Sequence, residues 1–151
     1  MSLPKRVQMT RQRPWRAEHP DAVIVDRRTK WGNPIRVTRR WEKVDTFGRE
    51  RWMWNVHGSP MDRNGGPSYA SKDTARFFAV RHFQWDLLNA RFGDAYPSIE
   101  EIKAELAGKD LACWCPLTFH RNGTYDWGHC HADILLEIAD PDYFPPELEG
   151  R

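Results

Sequence analysis

Three cysteines and a histidine carry the most chemistry in this chain: Cys113, Cys115, Cys130 and His131. Three soft sulfurs and one imidazole are the donor composition of a tetrahedral zinc site. A CxC pair on an extended strand puts both sulfurs on one face, because side chains alternate along a strand. The adjacent Cys130 and His131 can join them only if their side chains diverge at the start of a helix. Three other readings stand beside zinc. The cysteines can form an iron–sulfur centre, or an unmetallated thiol site with Cys115 or Cys130 activated by His131 or by a helix N-terminus. They can also be structural, with Cys113 a small buried hydrophobe and His131 bonded to a backbone carbonyl. Asp133, in the first turn of the same helix, can orient His131 or cap backbone donors. The candidate metal ligands are therefore Cys113, Cys115, Cys130 and His131, and the candidate catalytic residues Cys115, His131 and Asp133. His120 and His129 lie in the loop between the cysteines as further proton carriers or ligands.

A second cluster is basic. In RRTKWGNP, Arg27 and Arg28 offer planar forks to a phosphate or carboxylate, Lys30 a point charge, Gly32 close backbone approach and Asn33 a directed amide. Arg27, Arg28, Lys30 and Asn33 are thus candidate ligand-binding residues for a phosphate-bearing small molecule or nucleic acid. The competing reading is a tight turn in which Trp31 plugs the core and the cations are solvated. The segment is neither a P-loop nor a dinucleotide fingerprint, so it names no nucleotide cofactor.

Both clusters follow short apolar runs that read as buried strands, AVIVD at 22–26 and DLACW at 110–114. Between them, Ser71 or Asp73 can cap a helix running to about Phe92, with Phe78, Trp85, Leu88 and Phe92 as its apolar stripe and Phe77, Val80 and Leu87 widening it. Ser98 and Glu101 have capping-box spacing ahead of a shorter helix ended by Gly108. ADILLEIA at 132–139 reads as a final helix before Pro141. The alternation predicts an α/β fold: a single compact domain over 21–140 with a small, parallel sheet, flanking helices and a site beyond the strands' carboxyl ends. Residues 1–20, with five Lys/Arg and three prolines, read as a basic, flexible arm. Periodicity is poor through 35–70, so the excursion at 41–71 reads as an insertion or lid, or as short strands hidden near 51–56. Residues 141–151 read as an acidic tail.

The 151 residues hold 40% hydrophobic and 29% charged residues, which fits a soluble globular chain and excludes a disordered one. The net charge of +2 conceals segregation, since residues 1–51 carry 14 Lys/Arg against 6 Asp/Glu and the remainder carries 9 against 15. An odd cysteine count argues against a secreted disulfide framework. No apolar run suits a signal peptide or a membrane span, so a cytoplasmic protein without membrane association is expected.

VDRRTKWGNP at 25–34, GKDLACWCP at 108–116 and CHADILLEIA at 130–139 together resemble the small bacterial and phage family catalogued as domain of unknown function 4326. The resemblance spans roughly 23–139. It places the family's basic turn on Arg27, Lys30, Trp31, Gly32, Asn33 and Pro34, and its late signature on Cys113, Trp114, Cys115, Cys130, His131 and Asp133. The excursion at 41–71 is longer than the family pattern, and LTFHRNGTYDWGH replaces a shorter link. The family implies no reaction. The residues themselves suggest a hydrolase or transferase acting on a nucleotide, nucleoside or modified base, with the Cys/His cluster beside a basic pocket. The alternatives are a nucleic-acid-binding module with a structural zinc or thiol cluster, using Trp41 or Trp54 for stacking, and a protein-interaction or inhibitor domain. The HxE and PCxxC pattern of base deaminases is absent.

Overall fold

The computed structural model describes residues 3–140, so the acidic-tail segment lies outside the described residues. The fold is α/β, with two three-stranded sheets, one parallel and one antiparallel. The chain divides into two compact units, the first formed by 1–32 and 93–151 and the second by the contiguous stretch 33–92. None of the helices among the described residues is long and apolar enough to cross a membrane.

In the first unit the strands are β1 (Arg6–Gln8), β2 (Val23–Ile24) and β6 (Leu111–Cys113), with the short helix α1 (Trp15–Glu18) between the first two. The order is β1-β6-β2, all parallel, so the last strand in the chain occupies the centre. Leu111, Ala112 and Cys113 are all buried, as a central parallel strand covered on both faces must be. Val7, Met9, Ala22 and Ala112 form one packed cluster, with Trp15 and Ile24 against it. The helices α3 (Ile99–Leu106) and α4 (His131–Ala139) pack on each other, with Ile102 and Leu106 of the first and Ile134, Leu135 and Leu136 of the second all buried. Ser98 caps α3 as its spacing predicts, its Oγ accepting from the Glu101 N–H at 3.2 Å.

Here the arm expectation meets a correction. Arg6–Gln8 is not a solvated extension but an edge of this sheet, in register with Leu111–Cys113, and Met9 N donates to Cys113 O at 2.9 Å. Its partners lie more than 100 residues away, which local composition cannot reveal.

The second unit holds β3 (Arg36–Lys43), β4 (Glu50–His57), β5 (Ser68–Tyr69) and α2 (Lys72–Leu88). The poorly periodic excursion is thus an antiparallel sheet in the order β3-β4-β5. Its hairpin turn is set by Asp45, whose carboxylate accepts from Phe47 N and Arg49 N, with Gly48 in left-handed backbone. At Gly66, φ is +83° and a Cβ would lie 2.1 Å from Val56 O, so only glycine fits where that loop crosses β4. Ser71 caps α2, accepting from Thr74 N. The buried face of α2 is Ala75, Ala79, Val80, Phe83 and Leu87 rather than the expected stripe, since Trp85 and Leu88 are exposed. Small alanines at i, i+4 stand on the same face of the helix as Phe83, while the Trp85 ring projects outward.

Candidate metal centre

The site is assembled at the carboxyl end of the parallel sheet. Cys113 is the last residue of the central strand, and Cys115 follows two residues on, in the bend that ends it. Cys130 is the N-cap of α4, in extended backbone, and His131 is its first helical residue. An N-cap is ordinarily Ser, Thr, Asp or Asn, whose side chain takes up a free N–H. Cys130 makes no such bond, and its sulfur faces the other sulfurs instead.

The ligand atoms of Cys113, Cys130 and His131 all lie within 4.8 Å of one another, and all three residues are buried. Cys113 Sγ is 3.7 Å from Cys115 Sγ, and Cys130 Sγ is 3.8 Å from His131 Nδ1. Bond lengths of about 2.3 Å to sulfur and 2.0 Å to nitrogen make the edges of a tetrahedral zinc site about 3.5–3.8 Å. Both separations match such an edge. Cys115 is half-buried and stands outside that trio.

The second shell is equally specific. His131 Nε2 lies 2.7 Å from Val25 O at the exit of β2, so Nε2 carries the proton and Nδ1 presents its lone pair to the sulfurs. Burial, with the nearby Arg27 charge adding to it, lowers the His131 pKa and keeps the ring neutral, the form that ligates. Contact with Cys113 and Cys115, together with burial, pushes the Cys130 thiol well above its ordinary value. Cys113 is pushed up chiefly by Cys115. Three crowded sulfurs cannot readily share negative charge, and a cation among them reverses that balance.

Asp133, in the first turn of α4, is fully buried. Its carboxylate accepts from Tyr125 OH at 2.8 and 3.0 Å and from Gly128 N at 2.9 Å, fixing the loop before α4. Arg6 completes this network, donating from Nε to Tyr125 OH at 3.0 Å and from Nη2 to Cys115 O at 2.6 Å. Only 6% of Arg6 is exposed, and its Nη1 is buried with no hydrogen-bond partner among the described residues. Burial opposes the charge, yet Cys130, Tyr125 and Asp133 outweigh it and raise the Arg6 pKa. Sequence reasoning missed Arg6, whose partners lie 109 and 119 positions away, and Tyr125, which joins Arg6 to Asp133 from a loop with no motif of its own.

The basic turn converges less. Arg28 pairs with Asp26 at 2.8 Å, and Lys30 pairs with Glu105 at 2.8 Å while lying over the Trp31 ring. Arg27 is exposed, and its charge reaches His131. Asn33 is buried in the second unit, where its Oδ1 accepts from Ile35 N at 2.8 Å as a turn residue. Trp31 is buried, as the tight-turn reading has it, and Tyr96 OH donates to Trp31 O. Trp114 Nε1 donates to Asp26, tying the two strand exits together. His120 and His129 pair with Asp126.

A family model described as Domain of unknown function (DUF4326) matches residues 7–141. The chain belongs to that family. No curated protein and no solved structure gives a significant match. The DUF4326 match runs from β1 through α4, so it takes in every residue of the Cys/His cluster as well as Tyr125 and Asp133. Arg6 sits one residue before it.

Proposed function

We propose that this DUF4326 chain is a metal-binding module in which Cys113, Cys115, Cys130 and His131 close around one zinc-class ion. The observation that carries this reading is the pair of tetrahedral-edge separations, 3.7 Å between Cys113 and Cys115 and 3.8 Å between Cys130 and His131 Nδ1. Thiolate and neutral imidazole select zinc over the oxygen-loving magnesium and calcium. The ion's role is structural. It joins the end of β6 to the start of α4 across the intervening loop, and so holds the carboxyl edge of the sheet to the helix that covers it.

A second reading is supported by Cys115 alone. It is the half-buried sulfur and stands outside the tight trio of Cys113, Cys130 and His131. With Cys115 released, a three-ligand ion keeps an open position. That arrangement suits the hydrolysis or group-transfer chemistry on a nucleotide or modified base, with Arg27 at the entrance.

Elemental analysis of protein purified without added metal tests the first point, with about one equivalent of zinc expected. Cobalt substitution then separates the two readings. A closed site gives the intense ligand-field bands of a tetrahedral ion, and Cys115→Ser changes them. An open site leaves those bands largely unaltered in Cys115→Ser. Absence of zinc, with no uptake of cobalt by the reduced protein, would sink both.

A further inference from the structure

The antiparallel unit carries a surface that the metal centre does not use. Residues 33–92 hold 11 Lys/Arg against 6 Asp/Glu, whereas the rest of the chain holds 12 against 15. The positive charge of the protein therefore belongs to this unit. On the β3–β4 hairpin it is interleaved with tryptophan.

Antiparallel register fixes which side chains share a face. Trp41 stands opposite Trp52, Arg39 opposite Trp54, and Lys43 opposite Glu50, so these six project from one side of the hairpin. Tyr69, opposite Trp54 on β5, continues the same face and stacks on Phe78 of α2 at 4.7 Å. Trp41 and Trp52 meet edge to face at 5.5 Å and remain 55% and 49% exposed. The Arg39 guanidinium lies 4.4 Å from the Trp52 ring centre and 6.0 Å from that of Trp54, and Lys72 lies 5.5 Å from Trp54. Glu50, the acid on this face, accepts from Trp41 Nε1 at 2.8 Å and so holds the ring in place.

We infer that this face binds a single strand of nucleic acid. Half-exposed indole rings offer flat surfaces on which unpaired bases stack, and cations spaced between them meet the phosphates that link successive bases. A duplex hides its base faces and cannot use the rings. An apolar protein partner gains nothing from guanidinium and ammonium groups set against the Trp52 and Trp54 rings, whereas a polyanion with aromatic bases satisfies both. Base faces and phosphates are the recognition chemistry, so the strand is held without sequence readout and without regard to its sugar.

The test is fluorescence anisotropy with a labelled thymidine 12-mer, the same strand paired with its deoxyadenosine complement as a duplex, and a mixed-sequence single strand of the same length, which should bind as the thymidine strand does. Trp41→Ala and Trp52→Ala should each weaken single-strand binding by about 10-fold, in line with the loss of one stacked base. Trp41→Phe and Trp52→Phe should retain most of it, which separates lost stacking from a damaged hairpin. Trp85→Ala, an exposed ring on α2 outside this face, should leave it unchanged. With Arg39, Lys43 and Lys72 as phosphate partners, log K should fall with log salt with a slope of roughly −2. The inference is overturned by equal binding to the duplex, by affinity within twofold of wild type in both alanine variants, or by no binding at low salt. None of these outcomes bears on the metal centre.

Discussion

Replacing Arg6 with methionine separates a solvated arm from a structural strand. In an exposed extension the change costs within about 0.5 kcal/mol. In the observed structure it removes two charge-assisted hydrogen bonds, to Tyr125 OH and to Cys115 O, from a side chain only 6% exposed. Each such bond is worth ~1.5–3 kcal/mol. The change also takes the cation away from Asp133, which is fully buried and reached through Tyr125. Breaking a buried charge network by deleting one member costs about 3–5 kcal/mol, and we adopt that range. For a chain of this length, where 1 kcal/mol moves Tm by ~3 °C, the drop should be about 9–15 °C. Thermal unfolding followed by circular dichroism, with reductant present and in low and high salt, measures it. High salt should not erase the difference, since buried charges are weakly screened. Arg13→Ala, at an exposed position, is the control. A Tm for Arg6→Met within 1 °C of wild type refutes the buried-network reasoning.

Tyr125→Phe removes the hydrogen bonds that the phenol makes with Arg6 Nε and the Asp133 carboxylate and should cost about 1–3 kcal/mol. Combined with Arg6→Met the loss should be less than additive in a double-mutant cycle. Gly66→Ala forces a Cβ to within 2.1 Å of Val56 O in left-handed backbone and should cost ~3 kcal/mol, read as a lowered urea midpoint. Asp26 is buried, which opposes its charge, but hydrogen bonds from Arg28 and Trp114 and the Arg28 charge hold its carboxyl below the ordinary aspartate range. Its contribution is therefore present above pH ~3.9 and lost as pH falls through the lower folded value. Tm measured from pH 6 down to 3 should fall less steeply in Asp26→Asn. Cys130→Ser should abolish metal retention, assayed by elemental analysis after dialysis against chelator, and lower Tm even when zinc is supplied.

The elements whose signals are local were legible. Ser71 and Ser98 cap their helices within three residues, and the apolar runs at 22–26 and 110–114 contain β2 and the central strand β6 of the parallel sheet. Cys113, Cys130 and His131 were legible as a group because metal ligands must be chemically distinctive, whatever brings them together. β1 was hidden because its Arg6 is buried by residues 109 and 119 positions away. The hairpin was hidden because Arg39 packs on Trp52 and Trp54, so the face that should read as apolar reads as mixed. Asn33 misled because an amide suited to a ligand is equally suited to a turn, and here it takes the Ile35 N–H.

The central place of β6 has a consequence for how the protein is made. Neither β1 nor β2 pairs with the other, and each waits for Leu111–Cys113. At a synthesis rate of roughly 5–20 residues per second, β1 spends several seconds beyond the ribosome before its partner is translated. The stretch 33–92, whose strands and helix are neighbours in sequence, has all its parts in hand long before then. The nascent chain thus carries one finished unit and two unpaired strands, and the cysteines, among the last side chains to arrive, meet at the sheet's carboxyl end only when α4 has emerged.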